Sequence, residues 1–291
     1  MSTSKKPHQE QTSNYFISDH SSQEEQARLQ SQDRMITASM GGVLPEQPDP
    51  ANFRHVLDVG CGSGGWLIEV AKTYPRISFL MGVDISNKMI EYARAEALAQ
   101  GVSNRVEFHV MDALGILEFP YDYFDLVNHR LGIGYLRTKD WPTLLHQYLR
   151  SVRPGGIIRI TEAEPFVVTT AVALTSLCSL LIQALYRAGH LFTLESNGLT
   201  SQLASLMSEN GIANIQKQNH PLEYRAGTVA GQQFYENERD FFRTIVPFLR
   251  KWTSVPDNYE ELYQQALDEM QQPDFVGTWN LLTAWGIKPL D

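Results

Sequence analysis

Short apolar runs alternate with longer amphipathic segments over the first half of the chain. Five runs are rich in β-branched or aromatic residues and end at glycine or polar positions: residues 56–59, 77–85, 106–111, 124–128 and 157–161. Runs of this length and composition predict β-strands. Because helical segments separate them, we expect a parallel sheet whose strands are joined by right-handed crossovers.

The helices of this half have recognisable ends. Ser86 is expected to cap a helix that runs to about Gln100, and Asp140 to cap one that begins near Pro142. A polar helix is predicted over residues 22–39, before a proline-rich linker at residues 45–50.

The pattern changes after residue 164. A long apolar helix is predicted over residues 165–192, and further helices over residues 200–210, 229–251 and 257–271. Two more strands are predicted at residues 212–224 and 275–285. Residues 165–200 and 228–272 are therefore expected to form helical lid insertions after strands five and six.

The apolar stretch Val167–Leu185 lacks charged residues over 19 positions, so a membrane span has to be considered. Six of its side chains are hydroxyls or amides, and the stretch lies in mid-chain. A buried or pocket-lining helix is the preferred interpretation, with plain core or a dimer interface as the alternatives.

Composition narrows the class of protein. The 291 residues are 43% hydrophobic and 20% charged, which suits one large α/β domain with additions. The net charge of −9 argues against nucleic acid as the main partner. The two cysteines, Cys61 and Cys178, form neither a metal motif nor a disulfide framework. We expect a cytoplasmic protein with no metal site and no membrane anchor.

A glycine-rich turn directly after the first strand indicates the kind of ligand that the protein binds. Gly60, Gly62 and Gly65 fit the spacing G-x-G-x-x-G, and Asp84 follows about 20 residues later at a strand end. Such a turn lets a nucleotide approach the backbone closely at a helix start. Taken alone, this spacing is also compatible with a nicotinamide-dependent oxidoreductase.

Other residues favour a different ligand. Asp58 lies inside the strand before the glycines, where a carboxylate attracts an ammonium or sulfonium group and repels a pyrophosphate. Asp112 follows strand three, where it can accept a hydrogen bond from an adenine amine. The turn has no basic residue for phosphates. The expected ligand therefore has an adenosine part and a cationic part.

Five motifs in order make the chain resemble the class I S-adenosylmethionine-dependent methyltransferases. They are LDVGCGSG at residues 57–64, GVDIS at 82–86, MDA at 111–113, FDLV at 124–127 and RPGG at 153–156. The resemblance implies an α/β, Rossmann-like, seven-stranded sheet that is mostly parallel, with the last strand antiparallel. Residues 51–291 would form this domain. Residues 1–50 would form an N-terminal extension whose helix caps the cofactor.

The resemblance also implies a role for each motif position in binding S-adenosylmethionine. The turn of Gly60, Cys61 and Gly62 would hold the methionine part, and Asp58 would contact its ammonium. Gln32 and Arg28 would close this methionine end, and Asn128 would line the sulfonium end of the site.

The adenosine half would be held from the next two strands. The resemblance implies that Asp84 accepts from both ribose hydroxyls and that Asp112 accepts from the adenine amine. Ile85 and Met89 would pack on the adenine, and Ala113 would leave room for the ring.

The sequence specifies the methyl acceptor less closely than the cofactor. Residues 128–131 read NHRL, without the Asn-Pro-Pro-Tyr signature of enzymes that methylate DNA amines. We expect methyl transfer to O, N or C of a small, partly apolar metabolite, with His129 as the candidate base. Glu162 and Glu164 are candidates for orienting the acceptor, and Tyr15 for folding back over the cofactor.

Three questions stay open at this stage. His129 and His220 are also compatible with purely structural roles. A non-methylating member of the fold, which only binds the sulfonium compound, has the same cofactor motifs. Monomer and homodimer are both compatible with the sequence.

Overall fold

The computed structural model describes residues 23–290, which form an α/β fold around one seven-stranded sheet. The strands are β1 (His55–Val59), β2 (Phe79–Asp84), β3 (Val106–Val110), β4 (Phe124–Arg130), β5 (Val152–Thr169), β6 (Ala213–Arg225) and β7 (Val276–Ile287). Their order across the sheet is β3-β2-β1-β4-β5-β7-β6.

The helices are α1 (Gln23–Ser39), α2 (Gly65–Thr73), α3 (Asn87–Ala99), α4 (Trp141–Ser151), α5 (Val172–Ala188), α6 (Leu203–Glu209), α7 (Val229–Thr244), α8 (Val246–Trp252) and α9 (Tyr259–Met270). Helices α5 and α6 separate β5 from β6 in the chain, and α7 to α9 separate β6 from β7. Helix α1 packs against α7, so the N-terminal helix and the later insertion meet.

Strand pairing agrees with the expected sheet. The first five strands pair in parallel, β1 lying between β2 and β4. Strand β7 runs antiparallel to both of its neighbours, β5 and β6. The predicted α/β fold, a mostly parallel sheet with its last strand antiparallel, is therefore confirmed.

Several predicted boundaries were wrong. Residues 165–169 continue β5, because pairing with β7 resumes at residues 167–169 after an irregularity, so α5 starts only at Val172. The helix predicted over residues 229–251 is two helices, separated at Ile245, just before Pro247. A proline inside a helix lacks the amide hydrogen that the ladder needs.

The two predicted helix caps behave differently. The Ser86 hydroxyl accepts from the Met89 amide at 3.4 Å and caps α3 as expected. Asp140 does not cap α4, because its carboxylate accepts from the Arg137 amide at 2.9 Å. Its hydrogen bond closes the preceding turn instead.

Hydrophobic residues pack on both faces of the sheet. Val56 and Leu126 belong to the layer with α2 and α3, whereas Leu57 and Val127 belong to the layer with α4 and α5. Successive strand residues face opposite sides. Asp58 therefore shares the face of Val56, toward α2.

Between residues 23 and 290, no helix combines the length and the apolar character that crossing a membrane requires. The apolar helix α5 instead packs on β5, α8 and α9. Its inward residues, among them Leu177 and Leu181, belong to the core.

Candidate active site

The glycine-rich turn is fastened to the neighbouring strand. The amides of Gly60 and Cys61 both donate to the Val83 carbonyl, at 2.8 and 2.9 Å. Gly60 has a φ of +71° and Gly62 one of +52°, a conformation that favours glycine. A side chain on Gly60 would collide with the Tyr135 hydroxyl. This close approach keeps the turn compact.

Asp84, at the end of β2, is oriented by two backbone amides. Its Oδ2 accepts from the Gly62 amide and its Oδ1 from the Ser86 amide, each at 2.9 Å. One carboxylate thus joins the glycine turn to the start of α3. Its position is set by the backbone, and it also forms part of a cavity wall.

That cavity has a volume of about 350 Å³ and opens at the carboxyl ends of the parallel strands. In open α/β sheets this edge is where ligands bind. Many of the residues expected to hold the cofactor or acceptor line it: Arg28, Gln32, Asp58, Gly60, Cys61, Gly62, Asp84, Ile85, Met89, Asp112, Ala113 and Glu164.

A second part of the wall is apolar and comes from the later elements. It includes Phe166, Cys178, Leu181, Phe241, Phe242 and Trp279. The polar strand-end residues and this aromatic surface therefore enclose one continuous space. Sequence analysis had placed apolar helices here, but not these individual side chains.

Asp58 is held in a buried polar chain that crosses three strands. Its Oδ1 accepts from Asn128 Nδ2 at 2.7 Å, and Asn128 Oδ1 accepts from Arg159 Nη1 at 2.8 Å. Arg159 in turn donates from Nε to Glu46 at 2.7 Å. Asp58, Asn128 and Arg159 pair with one another across β1, β4 and β5, which explains their alignment.

Burial raises the pKa of the Asp58 carboxyl to about 7, against the opposing effects of the Asn128 hydrogen bond and the Arg159 charge. Desolvation penalises the charged form of a carboxyl group. Asp58 is thus poised to change its charge near neutral pH.

Asn128 does not line the cavity, contrary to its expected position at the sulfonium end. It is fully buried between Asp58 and Arg159, where both ends of its amide are occupied. Its role in the structure is to orient Asp58.

His129 and Glu162 are also absent from the cavity wall, where the base and the acceptor contact had been placed. His129 is fully buried on the opposite face of β4. Its Nδ1 lies 2.8 Å from the Tyr148 hydroxyl oxygen. Its Nε2 lies 3.4 Å from Glu162. The Glu162 oxygens accept from the amides of Gly132 and Ile133, at 2.8 and 3.1 Å.

One further sequence candidate among the described residues is not brought to the cavity. His220 is buried in β6 and contacts the Thr283 hydroxyl at 3.1 Å through Nε2. Tyr15 lies outside the described residues. Of the predicted acceptor residues within 23–290, Glu164 lines the cavity and His129 and Glu162 do not. The Glu164 oxygens contact Thr200 at 3.5 Å and Asn280 at 3.3 Å.

Two arginines of the cavity wall form ion pairs that were not predicted from the sequence. Arg130 forms an ion pair with Asp33 on α1 and lies 5.8 Å from the centroid of the Trp66 ring. Arg28 binds both oxygens of Glu25, at 2.7 and 2.6 Å. The spacing of Glu25 and Arg28 on one helix was a local signal, whereas the Asp33–Arg130 pair depends on the fold.

A family model described as a methyltransferase domain matches residues 56–156. The chain contains a methyltransferase domain. The match covers the glycine turn, Asp84, Asp112, nearly all of β1, strands β2 to β4 and the first residues of β5. The resemblance to class I S-adenosylmethionine-dependent methyltransferases is thereby confirmed, and with it the expected cofactor of the family.

Curated relatives carry the same domain. The chain is 35% identical to ajmaline N-methyltransferase of Rauvolfia serpentina over 117 residues, which are 40% of this chain and 38% of that protein. It is 31% identical to demethylmenaquinone methyltransferase of Lactococcus lactis over 111 residues, or 38% and 42% of the two chains. The chain therefore matches less than half the length of these two relatives.

The solved structure of phosphoethanolamine N-methyltransferase 2 from Haemonchus contortus has the same fold. It aligns with a TM-score of 0.57 at 19% identity and covers 94% of this chain and 60% of its own. Its similarity extends beyond residues 56–156 to the elements that complete the sheet.

Proposed function

We propose that the protein transfers the methyl group of S-adenosylmethionine to a small, largely apolar acceptor. One observation carries this proposal: the methyltransferase-domain turn and the aromatic wall of the later helices enclose one cavity. The polar end suits the cofactor and the apolar end suits the acceptor.

The residues at the polar end fit that cofactor. A Cβ built on Gly62 meets no atom within 4 Å, so the backbone is open to a ligand there. The carboxyl groups of Asp58, Asp84 and Asp112 line the same space. They suit an ammonium, a ribose diol and an adenine amine, respectively, because each of these groups donates hydrogen bonds.

The chain contributes mainly alignment and exclusion of water. Bound S-adenosylmethionine supplies an electrophilic methyl group with a good leaving group, so an in-line approach is the main requirement. Orientation of two reactants supplies about 7–11 kcal/mol in favourable cases. Aromatic side chains such as Phe241 and Trp279 would exclude water beside the reacting atoms.

Calorimetry and mass spectrometry test this function. Titration with S-adenosylhomocysteine should give measurable heat, and incubation of a metabolite extract with methyl-labelled S-adenosylmethionine should give a labelled product. Cofactor binding without any labelled product across the extract would favour a non-methylating role. Absence of binding would contradict the proposal itself.

Cofactor affinity is expected to fall about ten-fold between pH 8 and pH 6. Because the pKa of Asp58 is raised to about 7, acid protonates the carboxylate that would hold the cofactor ammonium. When only the ionised form binds, each pH unit below the pKa weakens the binding free energy by about 1.4 kcal/mol, which is a ten-fold loss of affinity. The dissociation constant of S-adenosylhomocysteine, measured by calorimetry at both pH values, checks this.

Asp58→Asn should remove this pH dependence while weakening binding at pH 8. Glu238 provides a control, because burial raises its pKa to about 7 as well, yet it lies on α7 and not next to the glycine-rich turn in the chain. Glu238→Gln should leave the pH dependence intact. A wild-type affinity that is constant from pH 6 to pH 8 would contradict the role of Asp58.

The cellular setting and the assembly of the protein are part of the proposal. The net charge of −9 supports a small-molecule acceptor over nucleic acid. We propose a cytoplasmic monomer or homodimer, and gel filtration with light scattering separates these two assemblies.

A further inference from the structure

Glu238 on α7 is a buried carboxylate in the apolar part of the cavity wall. Only 7% of the residue is exposed, and the cavity wall to which it belongs also includes Cys178, Leu181, Phe241 and Phe242. Charged residues are almost never buried in apolar surroundings unless they are paired. Among residues 23–290, no cation forms an ion pair with Glu238, although the charge of Arg28 acts on it.

The hydrogen bonds around Glu238 show that one of its oxygens is already used. Arg28 Nη1 donates to Asn237 Oδ1 at 2.9 Å, and a guanidinium can only donate. The amide of Asn237 is therefore oriented with Nδ2 toward Glu238, whose Oε1 accepts at 2.9 Å. Arg28 itself is neutralised by the two oxygens of Glu25.

The second oxygen of Glu238 is available to a ligand. Among residues 23–290, no hydrogen-bond donor contacts Oε2, and the residue lines the cavity. Burial raises the pKa of Glu238 to about 7 against the opposing Asn237 hydrogen bond and Arg28 charge, and no described cation forms an ion pair with it as a direct partner. A bound cation would supply that partner.

The charges of the whole wall favour the same kind of ligand. Its acidic residues are Asp33, Asp58, Asp84, Asp112, Glu164 and Glu238, against two arginines, Arg28 and Arg130. Both arginines are paired with carboxylates. Within the described part of the chain, the wall thus offers no unpaired cation for a phosphate or carboxylate on the acceptor.

We propose that Glu238 binds the amino group of the acceptor, so that the acceptor is a primary or secondary amine on an apolar body. This inference rests on the proposed methyl transfer and specifies its substrate class. The Oε2 atom receives the amine, and the aromatic and aliphatic side chains around it bind the remainder of the molecule.

Glu238 also accepts the proton that the ammonium form of the acceptor must lose before its nitrogen can react. The acceptor enters as an ammonium ion and passes one proton to Glu238, which leaves a neutral amine and a carboxylic acid. A neutral pair is favoured over an ion pair by apolar surroundings. The carboxylic acid later releases its proton to water.

The transfer then balances without any further reactant. The nitrogen lone pair forms a bond to the methyl carbon, and the methyl–sulfur bond breaks with its electron pair staying on sulfur. The products are the N-methylated ammonium ion and S-adenosylhomocysteine. Glu238 is then a carboxylate again, ready for the next acceptor.

Three matched probes test the proposal by binding alone. Phenethylamine, phenethyl alcohol and phenylacetate are titrated into the protein saturated with S-adenosylhomocysteine. We expect phenethylamine to bind at least about ten-fold more tightly than the other two, because only the amine pairs with the buried carboxylate. Glu238→Gln should remove this preference and retain the affinity for S-adenosylhomocysteine.

Glu236→Gln is the control, since Glu236 is an exposed carboxylate on the same helix and lies outside the cavity wall. It should keep the preference for the amine. Equal or absent binding of the three probes would overturn the proposal, as would an amine preference that survives Glu238→Gln. If S-adenosylhomocysteine itself fails to bind, the proposed function fails instead.

Discussion

Replacing Glu46 with alanine is expected to lower the free energy of unfolding by about 3–5 kcal/mol. Glu46 and Arg159 form an ion pair whose side chains are each only 1% exposed. Removing one partner of a buried pair leaves the other charge without compensation, which costs far more than the pair contributes. The Arg159 charge would remain beneath the cofactor end of the cavity.

Urea denaturation of the variant and the wild type measures this loss. Glu69→Ala is the matched control, because Glu69 pairs with Lys72 at 3.0 Å with nearly half of each side chain exposed. Exposed pairs contribute about 0–1 kcal/mol. The double variant Glu46→Ala, Arg159→Met should recover part of the loss, and equal destabilisation by both single carboxylate variants would contradict the argument.

The same pair predicts the direction of the acid response. Burial alone would raise the pKa of Glu46, but the charge and hydrogen bonds of Arg159 hold it below the usual 4.5. A carboxyl group with a lowered pKa stabilises the fold above its unfolded-state pKa. This contribution is therefore present above about pH 4.5 and is lost as the pH falls through the pKa of the folded state.

The second large effect is expected from Asp84→Ala, which should weaken S-adenosylhomocysteine binding by roughly 1.5–3 kcal/mol, or about 10- to 150-fold. The carboxylate is held at a fixed position by the amides of Gly62 and Ser86, and it lines the cavity. Two hydrogen bonds from a ribose diol to a charged acceptor would be lost together.

Calorimetry at pH 8 measures this change, and thermal unfolding shows how much of it comes from a loosened turn. Asp84→Asn retains the size of the side chain and one acceptor oxygen, so we expect an intermediate affinity. An unchanged affinity in Asp84→Ala would mean that the ribose lies elsewhere in the cavity.

The parts of the site that the sequence predicted well are local. The glycine turn, Asp84 and Ser86 lie within one strand–turn–helix unit and the strand that follows it, where each residue type has a defined backbone role. The parallel pairing of the first strands followed from the alternation of strands and helices, because parallel strands are joined by helical crossovers. These signals require no knowledge of distant contacts.

The residues that were expected at the cavity but lie elsewhere belong to strands that are buried on both faces. Every residue of β4 from Phe124 to His129 is buried, so hydrophobicity could not show which face each polar side chain would take. Asn128 thereby joined the Asp58 chain, and His129 took the opposite face with Tyr148. A shift of one position exchanges the two faces.

The largest omissions were pairings across the sequence. Glu46 and Arg159 are 113 positions apart, and Arg28 and Asn237 are 209 apart. A glutamate within an amphipathic helix is normally on the solvated face, so Glu238 gave no signal of its burial. Only the packing of α1 against α7 brings its surroundings together.

The position of β7 has a consequence for biosynthesis. It is the last strand along the chain, yet it lies between β5 and β6 and pairs with both. On the ribosome, β5 and β6 therefore keep unpaired edges until residues 276–287 have emerged. The cofactor turn can form early from nearby segments, whereas the wall that carries Glu238 is secured only when synthesis has passed β7. Nascent chains stalled before β7 are accordingly expected to expose sheet edges that chaperones recognise.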